Sequence, residues 1–412
     1  MAPRSTGILC IPHTLSRRAI FKSNFLLLTF IFIVTVVVFR AAFLSDIIEI
    51  PTEFSQPEES SPPEESSPLE EVVINELAPD LTEDRPIKCV ANATAHKFPD
   101  FENQPQDMKD FLTYRHCRSF PLLHDSPMKC GGANNSRDVF LLLAIKTAPG
   151  NYERREAIRK TWGEEKSYGG AKVKRLFLSG VSRTQQDAKR MLQLIAAESH
   201  TYGDIVQWDF QDTFYNLTLK QVLFFKWKVL RCPEAQFVFN GDDDVFVNTA
   251  NVIKYLHGAV KNGLKNHLFV GALNTWMPPV REKNKYYVPA ELFPGEYFAP
   301  YCGGGGILMS GLTAYVIYRE SEYIPLFPID DAYLGMCLQL ARLSPANHDG
   351  VRTYGIQMPN QVDSFDPCYY RDMLIVHRFV PYEMLIMWKA LKLTRLQCTW
   401  SKVKIPKTTK PK

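Results

Sequence analysis

The chain contains no Cys-x-x-Cys pair, no Gly-x-Gly-x-x-Gly run and no Gly-x-x-x-x-Gly-Lys loop. The first absence argues against a structural zinc site, which is usually closed by paired thiolates. The other two argue against a Rossmann dinucleotide site and a P-loop. No concentrated basic helix or aromatic-basic module is present, so nucleic acid is not an expected partner. Two stretches lack one sign of charge altogether. Met1 to Asn24 holds Arg4, Arg17, Arg18 and Lys22 and no acid, whereas Ser45 to Asp84 holds 13 acids and no Lys or Arg.

Between them runs "FLLLTFIFIVTVVVFRAAFL", Phe25 to Leu44. Its length matches a bilayer-spanning helix, and it is too long, with no small-residue cleavage site, for a removed signal peptide. The basic flank stays on the cytoplasmic side, which predicts a cytoplasmic tail over 1–24, an anchor over 25–44 and a luminal remainder. The acidic stretch, with its imperfect repeat "PEESSPPEESSP", cannot bury enough apolar surface to fold and predicts a stem over 45–85. A single luminal catalytic domain over 86–400 and a basic tail over 401–412 complete the division. Residues 85–412 carry 43 basic and 31 acidic side chains, a net charge of +12 that suits an anionic ligand such as a nucleotide diphosphate. Eight of the nine cysteines are luminal, which predicts disulfides of open pairing. Asn92, Asn134 and Asn216 head N-glycosylation sequons on the same side.

Strand-like runs lie in Asp138 to Pro149, Arg175 to Gly180, Asp204 to Phe210 and Ala235 to Asn240, each followed by a turn or a helix-like segment. The alternation predicts an α/β domain with a largely parallel sheet covered on both faces, and a ligand at the carboxyl ends of the strands. "NGDDDVFVN" follows the fourth strand at that edge. Three adjacent carboxylates repel one another. A solvated acidic turn is one explanation, but the apolar triplets on either side pin the loop. A divalent cation removes the repulsion, and oxygen ligands without cysteine favour Mn²⁺ or Mg²⁺. Asp242 and Asp244, two apart, point to the same side of an extended segment.

A second acidic pair, Asp330 and Asp331 in "FPIDDAYLGMC", opens a helix. It reads either as an N-cap with a first-turn acid, favoured by the helix dipole, or as a general base near the metal. The glycines of "YCGGGGILMSG", Gly304 and Gly305 among them, allow close backbone approach to a ligand or a bulged buried strand. His377 follows an apolar run, where a lone histidine is more often structural. Trp276 and Tyr287 in "TWMPPVREKNKYYVP" suit stacking on sugar faces, and a packed loop explains them equally well.

Together "REAIRKTWG", "NLTLK", "NGDDDVFVN", "KYYVP", "YCGGGGILMSG", "IDDAYLGMC" and "HRF" resemble the Golgi β-1,3-galactosyltransferase and β-1,3-N-acetylglucosaminyltransferase family over residues 138–380. "DFLTYRHCRSFPLL" and "SFDPCYYRDMLIVHRFVPYEMLIMW" resemble its N-acetylglucosaminyl branch, nearest to a core-1-extending, mucin-type member. Asp330-Asp331 stands where many galactosyl members read Glu-Asp. The resemblance implies a GT-A fold anchored in the Golgi membrane. It also implies inverting β-1,3 transfer of GlcNAc from UDP-GlcNAc to terminal galactose, on core-1 O-glycans or poly-N-acetyllactosamine. It implies Mn²⁺ or Mg²⁺ on Asp242 and Asp244, with His377 approaching it, and Asp331 as the base. Lys146, Arg155 and Arg159 fall beside the donor, although a helix ion pair is the other reading of Arg159. Asp243, Gly304 and Gly305 are grouped with the donor, and Asp330, Trp276 and Tyr287 with the acceptor. The alternatives are a UDP-Gal-dependent β-1,3-galactosyltransferase and a non-catalytic lectin or chaperone of the same fold. Against a phosphotransferase nucleophile loop of the form Asp-x-Asp-x-Thr/Val stands Phe246, where that motif needs Thr or Val.

Overall fold

The Val139–Lys146 strand is buried along its whole length and is apolar up to its terminal lysine. A run of that kind needs covering on both sides. Successive side chains alternate between two cores: Leu142 and Ala144 enter one, Leu141, Leu143 and Ile145 the other. Val238 and Phe239 divide in the same way on the neighbouring Phe237–Asp242 strand. The first core lies under the helices Leu217–Arg231, Gly311–Ser321 and Asp330–Leu340, and the second under Tyr152–Arg159, Thr249–Lys261 and Pro381–Leu391. These observations come from a computed structural model that describes residues 89–398 apart from 184, 265, 354–364, 394, 395 and 397.

Nine strands form the main sheet among the described residues. Its centre is parallel: Ile205–Gln211, Ala171–Val181, Val139–Lys146 and Phe237–Asp242 lie side by side in that order. Beyond Phe237–Asp242 the sheet turns antiparallel through Gly306–Ser310 and Phe269–Gly271. The expected largely parallel sheet is therefore a mixed one. Gly306–Ser310 enters antiparallel because a loop brings it back across the acidic edge, where a helical crossover would have kept it parallel.

A second sheet of three strands joins Val351–Arg352, Ile375–His377 and Val245–Val247. The chain passes from the large sheet to the small one through a two-residue turn at Asp243 and Asp244. The acidic triplet is thus the hinge between two sheets.

Three disulfides join Cys89 to Cys117, Cys130 to Cys232 and Cys368 to Cys398. Cys302 and Cys337 are buried free thiols, so six of the eight expected luminal cysteines pair. Both free thiols sit in packed core, one on the Tyr301–Cys302 strand and one inside the Asp330–Leu340 helix. The expected tail over 1–24, anchor over 25–44, stem over 45–85 and basic tail over 401–412 lie outside the described residues. No helix among the described residues is long and apolar enough to cross a membrane.

Candidate active site

Strand register assembles the site. Parallel pairing sets Lys146 beside Asp242 at the carboxyl ends of the two central strands. Antiparallel pairing sets Gly306 beside Gly241, so the preceding glycines return to the acidic turn and the Asp242 N–H donates to the Gly305 carbonyl at 3.0 Å. In the small sheet His377 pairs with Val245, one residue beyond Asp244. Three pairings therefore bring Lys146, the glycine loop and His377 around one turn.

The carboxylates of Asp242 and Asp244 and the imidazole of His377 each offer a ligand atom within 4.8 Å of the others. His377 Nε2 lies 3.0 Å from Asp244 Oδ1, and Nδ1 lies 2.9 Å from the Thr353 carbonyl. A carbonyl can only accept, so Nδ1 carries the proton and Nε2 is directed at the acid. Burial lowers the imidazole pKa, but the hydrogen bond and charge of Asp244 outweigh it and the net shift is upward. Burial raises Asp244, and His377 followed by Arg154 bring its net shift below the usual carboxylate range. Two carboxylates and one imidazole are a donor set that suits Mn²⁺ or Mg²⁺.

Asp243 points the other way. It is buried and accepts from Thr147 Oγ1 at 2.6 Å, Asn151 Nδ2 at 2.8 Å and an Arg154 guanidinium nitrogen at 3.1 Å. It pins the loop after the Val139–Lys146 strand to the acidic turn, and this replaces its expected place beside the donor. Arg154, absent from the sequence reading, spans Asp243 and Asp244, lying 3.4 Å from the latter.

Lys146 Nζ lies 3.1 Å from Asp242 and 2.7 Å from Asp330. Burial disfavours its charge, but Asp242, Asp330 and Asp331 outweigh that and raise its pKa. Asp330 also accepts from Gln221 Nε2 at 2.6 Å. With one oxygen held by both Lys146 and Gln221, the buried Asp330 at the edge of the cleft is tied through Lys146 to the strand end at Asp242. Neither acid caps the helix: Ile329 occupies the N-cap and both carboxylates stand in the first turn.

Asp331 is half-buried and faces the cleft. Burial, then the charge of Asp330, with Asp242 adding less, push its carboxyl well above the usual range. Gly304 lies against it so closely that a Cβ there would meet Asp331 Oδ2 at 2.8 Å. At Gly305 φ is +97°, and a Cβ would meet the His377 ring at 3.2 Å. The two glycines keep the carboxylate and the imidazole accessible.

These groups open on a cleft of about 720 Å³. Lys146, Asp242, Asp331 and His377 form its polar end, and Phe214, Met277, Tyr286, Phe298 and Tyr301 form an aromatic and apolar wall. Tyr286, not the expected Tyr287, lines that wall, and Trp276 stands outside it. Arg155 and Arg159, expected near the donor, are withdrawn from the cleft. Arg155 is held by Glu198 at 2.7 Å and by the Ala148 and Pro149 carbonyls, and Arg159 by Asp204 at 2.8 Å and by Glu156. Asn92 and Asn134 are exposed, whereas Asn216 is half-buried and donates to the Gln211 carbonyl.

The match to known proteins follows this geometry. Residues 153–349 match the family described as Galactosyltransferase. A human acetylgalactosaminyl-O-glycosyl-glycoprotein β-1,3-N-acetylglucosaminyltransferase is 53% identical over 75% of this chain and 80% of its own length. A human N-acetyllactosaminide β-1,3-N-acetylglucosaminyltransferase is 50% identical over 77% of this chain and 84% of its own. A rat UDP-GlcNAc:βGal β-1,3-N-acetylglucosaminyltransferase is 42% identical over 73% and 75%. The chain belongs to the galactosyltransferase family, and within it to the β-1,3-N-acetylglucosaminyltransferases.

Proposed function

We propose that the protein transfers GlcNAc from UDP-GlcNAc in β-1,3 linkage to the terminal galactose of glycoprotein or glycolipid glycans, as an inverting enzyme of GT-A type in the Golgi membrane. The observation that carries the reading is the pairing of a metal-suited cluster with a separate, proton-avid carboxylate, Asp331, in one cleft. The names of relatives that share about half of the sequence support the reaction class.

Asp331 accepts the proton of the acceptor 3-hydroxyl as that oxygen bonds to the anomeric carbon, and the bond to UDP breaks on the opposite face. One displacement turns an α-linked donor into a β-linked product. Asp242, Asp244 and His377 would hold Mn²⁺ or Mg²⁺, which when bound supplies positive charge to the diphosphate. Lys146 fixes Asp242 in place, and Arg154 does the same for Asp244. The aromatic wall offers flat faces to the acceptor sugar.

The test is incubation of the purified chain with UDP-GlcNAc or UDP-Gal and a panel of galactosides and GalNAc-peptides, with the product linkage read by NMR. GlcNAc in β-1,3 linkage on galactose is expected. Because one human relative is named for an acetylgalactosaminyl glycoprotein acceptor, transfer to GalNAc-peptide alone would move the acceptor to that sugar. No transfer with either donor would favour a lectin or chaperone.

A further inference from the structure

Trp276 is 71% exposed, and its neighbour Tyr297 is 42% exposed. Their rings meet edge to face, 5.8 Å between centroids. Trp276 also holds a left-handed backbone, φ +58°, which a bulky residue adopts at a cost. Exposing an indole on strained backbone contributes little to folding, so the arrangement asks for a use outside the core.

Its position supplies one. Trp276 immediately precedes Met277, and Tyr297 immediately precedes Phe298; both followers line the cleft. The two loops are fastened to each other, since the Phe298 N–H donates to the Met277 carbonyl at 3.0 Å and Leu273–Asn274 pairs with Tyr301–Cys302. The aromatic pair is therefore a fixed lip continuous with the acceptor wall and remote from the acidic turn in sequence.

We propose that Trp276 and Tyr297 form a second sugar subsite, which stacks on the ring that precedes the terminal galactose of the acceptor. This rests on the acceptor reading above and deepens it. A glycan whose end lies in the cleft must leave past its mouth, and the next unit out is another pyranose. Its C–H face packs on an exposed aromatic face, which is why aromatic residues suit this role.

The experiment uses the full chain and three acceptors, methyl β-galactoside, a β-galactosyl-(1→4)-N-acetylglucosaminide and a GalNAc-peptide, and reads the kcat/KM of each and the ratio of the first two. Trp276→Ala is expected to lower the disaccharide-to-monosaccharide ratio about tenfold, through KM for the disaccharide, with Trp276→Phe restoring most of it. Tyr297→Ala should act in the same direction and serves if the tryptophan variant fails to fold. An unchanged ratio in correctly folded variants overturns the subsite while leaving the transfer reaction standing. A loss confined to a GalNAc-peptide acceptor overturns it in favour of peptide binding. Failure of the native chain to use either galactoside overturns the acceptor reading, and the subsite with it.

Discussion

At the scale of single residues, the proposed reaction gives the proton to one group, Asp331, and the donor's metal to others, Asp242, Asp244 and His377. Asp331→Asn should fold, bind UDP and lose about 10²- to 10⁴-fold in kcat, measured by steady-state transfer alongside UDP titration. Because only the ionised carboxylate can accept the hydroxyl proton, kcat/KM should fall as pH drops through the raised Asp331 value. That acid limb should stand above the ordinary aspartate range, around 4. Asp330→Asn removes the neighbouring like charge and should move the limb to lower pH. Gly304→Ala drives a methyl group into Asp331 Oδ2; a displaced base predicts a kcat loss of about 100-fold with little change in thermal midpoint. Residue choice is also where sequence reasoning reached its limit. Successive helical residues point about 100° apart, so "RREAIR" could not show that Arg154 meets the acidic turn while Arg155 is buried on Glu198. In the turn and bridge that hold Tyr286 and Tyr287, the sequence could likewise not show that Tyr286 is the one on the cleft.

At the scale of elements, register does the assembling. Composition and period were enough to read the four central strands and the helices between them, because buried apolar runs and turn residues are local signals. The return of Gly306–Ser310 beside Phe237–Asp242, and of Ile375–His377 beside Val245–Val247, depends on pairings across more than 60 residues, which no local pattern carries. Its own surroundings in the sequence accordingly made His377 a lone structural histidine, and only the family resemblance set it near the acidic turn where its strand places it. Lys146 ties two such elements together by bridging Asp242 at a strand end and Asp330 at a helix start. Lys146→Met leaves two carboxylates without their shared cation. It should cost about 3–5 kcal/mol in denaturant unfolding, and a loss below about 1 kcal/mol would contradict the bracing role.

At the scale of the whole molecule, the two cores on either face of the mixed sheet hold the two sides of the cleft's polar end at a fixed separation. One core carries the helix that bears Asp331, and the other packs around the small sheet that bears His377. The Cys130–Cys232 disulfide closes a separation of 102 residues across this frame. Replacing both cysteines with serine should cost about 2–5 kcal/mol by thermal or chemical unfolding. The division of labour between Asp331 and the Asp242–Asp244–His377 cluster is tested most directly by calorimetric titration of UDP, with and without Mn²⁺, into the native, Asp244→Ala and Asp331→Asn proteins. Mn²⁺ is expected to strengthen UDP binding to the native protein and to Asp331→Asn equally, and to leave Asp244→Ala unimproved. A Mn²⁺-dependent gain that survives in Asp244→Ala, or disappears in Asp331→Asn, would contradict the account.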